Sequence, residues 1–60
     1  MTSDERAQLV EDIKQCNRMR HEIVERAELS EDFDIVAAWE TVEELEDSIR
    51  RRVAEARARS

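Results

Sequence analysis

Sixty residues can form one small domain at most, and 43% of them are charged, with a net charge of −6. There is no glycine, no proline and one phenylalanine, so sheet and turn signals are nearly absent and strong helix formers dominate. A 40% apolar share with helical periodicity excludes a disordered tail, and no apolar run approaches membrane-spanning length.

The first predicted helix opens at Thr2, which has capping-box spacing to Glu5, with Asp4 and Glu5 placing negative charge on the first turn. Leu9, Ile13, Cys16, Ile23 and Ala27 then recur at intervals of four and three, with position 20 skipped. Val10, Met19 and Val24 widen the line into the stripe of a bundle helix. Ile35, Ala38, Val42, Leu45, Ile49 and Ala56 form a second stripe, with position 52 skipped and with Trp39 and Val53 on its flanks.

The two stripes are out of phase. Continuing the first register past Ala27 would place Ser30 and Asp34 in the core, whereas the second places Ile35 there. One straight helix of 60 residues, about 90 Å long, cannot present both seams to one partner. Ser30 is a good N-cap type, and Glu31, Asp32 and Asp34 suit the first turn of a new helix. The expectation is an all-α, single-domain antiparallel hairpin over 1–60. Its first helix covers about 3–28, its turn about 29–31 and its second helix about 31–58.

A chain this short buries too little surface to be comfortably stable alone. Cys16 is the only cysteine, so no intrachain disulfide forms, and its spacing to His21 is not that of a zinc site. Both stripes are wider than one neighbouring helix can cover. Homodimerisation into a four-helix bundle is therefore the expected remedy. The expected core and dimer interface comprises Leu9, Ile13, Cys16 and Ile23 from the first helix. The second helix adds Ile35, Trp39, Val42, Leu45, Ile49 and Val53.

Arg20 interrupts the first stripe, where an unpaired buried guanidinium would be costly. With a turn near residue 30 it lies opposite position 40, so Glu43, Glu40 and the face of Trp39 are its expected partners. It then either snorkels at the bundle edge or fixes register. Cys16, on the core line, reads as a buried small hydrophobe. Trp39 reads as core filling or as an association hot spot.

Charge is segregated along the second helix. Residues 31–47 carry eight acids and no base, while residues 48–60 carry five arginines and one acid. Acids near a helix N-terminus and bases near its C-terminus complement the helix dipole. The expected i,i+4 pairs are Glu46–Arg50, Asp47–Arg51 and Glu55–Arg59. Glu40, Glu44 and Asp47 form an acidic face that could imitate a phosphate backbone. The net charge opposes general nucleic-acid binding by the arginine-rich end.

The length, the two capped helices and the stripe "DIVAAWETVEEL" resemble the Rop family of plasmid copy-number regulators. That resemblance implies a hairpin that dimerises into a four-helix bundle and binds paired RNA loops. The family's RNA face needs basic and amide side chains along helix 1, and here Lys14, Asn17 and Arg18 stand among more acids than bases. The segment "EDFDIVAAW" also resembles the UVR helical hairpin of bacterial excision-repair proteins through Phe33, Ala37 and Ala38. The Arg-Asp pair that follows those alanines there is replaced here by Trp39 and Glu40.

No nucleophile–base pair, glycine-rich phosphate loop or metal constellation is present in the sequence, so no enzyme and no cofactor are expected. The expectation is a cytoplasmic, regulatory protein–protein interaction module, acting as a homodimer and binding another protein. The alternatives are a phage-type acidic inhibitor or nucleic-acid mimic binding a basic groove, and a Rop-like RNA-binding adaptor.

Overall fold

The structure is a computed structural model and describes residues 1–59. Two helices, α1 (Ser3–Leu29) and α2 (Ile35–Arg59), pack against each other as an antiparallel hairpin. Thr2 caps α1, its Oγ1 accepting the backbone N–H of Glu5 at 3.1 Å. The Glu5 carboxylate does not reach back to close a capping box. It accepts instead from Arg59 of α2 at 3.2 Å.

The turn differs from the sequence expectation. Ser30 ends α1 rather than starting α2: it is extended, and its N–H donates to the Arg26 carbonyl at 3.0 Å. The N-cap of α2 is Asp34, whose Oδ1 accepts the Ala37 N–H at 3.0 Å and whose carbonyl receives the Ala38 N–H at 3.2 Å. Glu31 and Asp32 therefore lie in the loop, four residues of which were assigned to the second helix. Phe33 supplies the physical reason. Had the helix begun at residue 31, Phe33 would project about 200° round from Ile35, into solvent. Unwinding the segment lets Phe33 fold back, half-buried, beside Met19, Ile23 and Ala38. Among the described residues none has a positive φ, so the reversal needs no glycine.

This capping is testable. Asp34→Ala is expected to cost about 1 kcal/mol, the usual loss for an N-cap carboxylate. Ser30→Ala, which removes a hydroxyl that accepts no helix-capping N–H, should melt with the parent. Equal losses at the two positions, followed by circular dichroism, would move the cap back to Ser30.

The seam is thin. Val42 is fully buried and Cys16 is 4% exposed. Leu9, Ile23, Leu45, Ile49 and Val53 are half-buried along it, with Met19. Ile13, Ile35 and Trp39, placed by sequence in the core or dimer interface, are exposed in the hairpin. Each helix here has one neighbour, which covers the middle of its stripe and leaves one flank open.

Candidate association face

Register decides which charged groups meet. The cross-helix pairs Arg20–Glu46 (2.7 Å), Arg52–Asp12 (2.6 Å) and Arg59–Glu5 (3.2 Å) are all centred near residues 32 and 33. The five-residue loop thus slides α2 by about one helical turn relative to a tight turn at residue 30. That slide corrects the expected partner of Arg20: Glu46, and neither Glu43 nor Glu40, receives its guanidinium. Trp39 does meet it, with the Arg20 Cζ 5.9 Å from the ring centroid, within cation–π range. Arg50 reaches the other Glu46 oxygen at 3.4 Å and also Asp47 at 3.4 Å. Of the expected i,i+4 pairs, Glu46–Arg50 forms, while Arg59 turns to Glu5 instead of Glu55.

Both interruptions of the apolar stripes, positions 20 and 52, hold arginines, and each crosses to an acid on the opposite helix. The acids Glu46 and Asp12 are the mostly covered members of the pairs, and the guanidinium heads stay nearer to water. Arg52 also donates its Nε–H to the Ser48 carbonyl at 3.3 Å. Such pairs fix the slide of one helix along the other more than they add net stability. Sequence alone did not pair Asp12 with Arg52, or Glu46 with Arg20. Their signal was available, because Asp12 and Glu46 sit at stripe spacing beside Cys16 and Val42.

Hydrogen bonds from Arg52 and then from the Gln8 amide (3.0 Å) hold the Asp12 carboxyl below the usual carboxylate value of 3.8. Glu46 correspondingly holds the Arg20 guanidinium in its charged form, raising its pKa. A carboxyl depressed on folding contributes stability above its unfolded value, and that stability is lost as pH falls through the folded value. Acidification between about pH 5 and pH 2 should therefore lower the melting temperature of the parent more than that of Asp12→Asn. Parallel curves for the two proteins would show that the Arg52 contact is absent in solution.

The hairpin measures 46 × 17 × 10 Å, which gives it two broad faces. On α1, Val10, Ile13, Asn17, Arg20 and Val24 follow one another at helical spacing along one flank of the seam. The matching flank of α2 carries Ile35, Trp39, Glu46 and Arg50. The Arg20 contacts to Glu46 and Trp39 place both flanks on the same broad face. Val10, Ile13, Val24, Ile35 and Trp39 are 39–55% exposed there. The opposite side of the seam is mixed: Gln8, Arg52 and Glu55 line a groove there with Met1 and Leu9, and Arg26 and Thr41 line another with Met19, Ile23, Phe33 and Ala38. Glu40, Glu44 and Asp47 are exposed on the outer side of α2, where Asp47 engages Arg50.

The grooves between the helices are shallow and open along their length. Among the described residues no three His, Cys, Asp or Glu side chains gather as a metal site, and no helix is long and apolar enough to cross a membrane. No family model, curated protein or solved structure matches the chain.

Proposed function

We propose that this chain is a non-enzymatic association module. It homodimerises into a four-helix bundle and acts by binding another protein. The observation that carries the reading is the uncovered flank of the seam: Val10, Ile13, Val24, Ile35 and Trp39 lie along one broad face of the hairpin and stay exposed in a single copy. A 46 by 17 Å face offers on the order of 800 Å² per partner, the size of a standard specific interface. Covering it would bury the open flanks of both stripes, which a two-helix chain cannot do by itself.

The central charged cluster suits such a contact. Arg20 and Arg50 share Glu46, and Asp47 supplies the second negative charge to Arg50, so the four groups balance and burial of their rim leaves no orphaned charge. Sedimentation equilibrium of the purified chain at micromolar concentration tests the proposal. Twice the chain mass is expected, and a well-folded monomer at every concentration would overturn it.

A second reading, the acidic inhibitor or nucleic-acid mimic, draws on the outer side of α2. Glu40, Glu43 and Glu44 are exposed there and form no ion pair among the described residues. Mimicry requires capture of a basic protein that weakens steeply between low and high salt. An apolar bundle contact would respond little.

A further inference from the structure

We infer that the side of the seam away from Trp39 docks one helix of the partner protein, an amphipathic helix with basic flanks. This inference rests on the partner-binding part of the reading above, and it leaves the broad face to the second copy.

The groove at the loop end is the first observation. Met19 and Ile23 of α1, Phe33 of the loop and Ala38 of α2 line it and are half-buried, with Glu22, Arg26 and Thr41 exposed around them. It holds about 220 Å³, below the size of a small-molecule pocket but enough to seat one bulky side chain. Ala38 and Thr41 are small, so a helix laid along the groove can approach α2 closely. Met19 is a flexible, polarisable side chain that adapts to different apolar anchors. Leu29 follows Glu22 by seven residues, two turns, so it lies on the same side of α1, and it is 87% exposed. A helix in the groove that runs past the loop end would cover it. A second copy on the broad face covers neither the groove nor Leu29.

Charge decides what kind of helix fits. The groove lies wholly within residues 17–48, which carry eleven acids against three arginines, a net −8. One of those arginines, Arg20, is tied to Glu46. Glu22 and Arg26 stand four residues apart on the rim, yet neither forms an ion pair among the described residues. Both are open to a partner's charges, and the surrounding excess of acids favours bases. A helix laid in a groove takes its affinity from apolar anchors and its selection from the flanking charges. A further copy of this chain suits the groove poorly, because it brings another net −6.

The isotope-labelled chain is titrated with a synthetic helical peptide of leucine, alanine and lysine, its lysines flanking one leucine stripe. The Met19 and Ile23 methyl resonances should move and saturate, while those of Val10 and Ile13 on the broad face stay in place. The counterpart peptide with glutamate for lysine should bind at least about tenfold more weakly. Thr41→Arg, at an exposed rim position, should weaken binding of the lysine peptide by a similar factor. Val36→Arg makes the same charge change at an exposed position outside the groove and should leave binding intact. Equal binding of the two peptides, equal effects of the two arginine variants, shifts centred on Val10 and Ile13, or no shift at all would overturn the inference. Sedimentation of the same samples separates it from the dimer reading. A chain at twice its mass without groove shifts leaves the dimer standing alone, and groove shifts on a chain-mass particle leave this inference standing without the dimer.

Discussion

Val42→Asp is expected to unfold the chain, removing most of the helical circular-dichroism signal at room temperature. Val42 is the one fully buried residue of the seam. A carboxylate there has no partner, and burying an unpaired polar group without a hydrogen bond already costs about 2–7 kcal/mol. Domains of this size have only a few kcal/mol of net stability to lose. Val36→Asp is the matched control, since Val36 lies on the same helix and is exposed. It should melt within about 0.5 kcal/mol of the parent, or above it because an acid in the first turn suits the helix dipole. Retention of full helicity by Val42→Asp would mean that α1 and α2 do not meet along this seam.

The double change Ile13→Asp with Val24→Asp is expected to release monomers that are still helical. Both side chains are half exposed in the hairpin, so in one copy alone each change resembles a surface substitution. In the proposed dimer both become covered, and two copies contribute four such positions. A fully buried aliphatic side chain contributes about 1.5–3 kcal/mol, so the four half-burials lost here amount to about 3–6 kcal/mol. That corresponds to a dimer weaker by at least about 100-fold, which sedimentation equilibrium resolves. Two outcomes separate the roles of these residues. A monomer with parental helicity assigns them to the interface, whereas an unchanged mass would show that this face is not where the copies meet.

Much of the fold was legible because the apolar spacing is regular. The phase change between Ala27 and Ile35 points to a reversal, and the Thr2 cap marks the start of α1. The length of the loop was not legible. Ser30 and Asp34 are both N-cap types followed by acids, and local preference alone does not rank them. The choice depends on Phe33, which reaches the seam only if residues 30–34 leave the helix, and that is a tertiary requirement. The misplaced partner of Arg20 follows from the same cause. Shortening the loop by one turn moves every cross-helix pair by about one turn, so Glu43 was named in place of Glu46.

The charged crossings teach a related point. Positions 20 and 52 looked like defects when each stripe was read separately. Together with Asp12 and Glu46 they form two crossings that hold the helices in one slide, on opposite sides of the seam. The exposed flank was legible only in part. The widths of the stripes announced surplus apolar surface, but the broad face it occupies depends on the slide of the helices.

Small-angle scattering of the purified chain tests shape and association together. The expected result is twice the chain mass with a greatest dimension close to that of one hairpin, 46 Å along its axis. A chain-mass particle with a radius of gyration near 14.3 Å, the value for one hairpin, would contradict the association. A particle about 90 Å long would contradict the reversal at Ser30–Asp34.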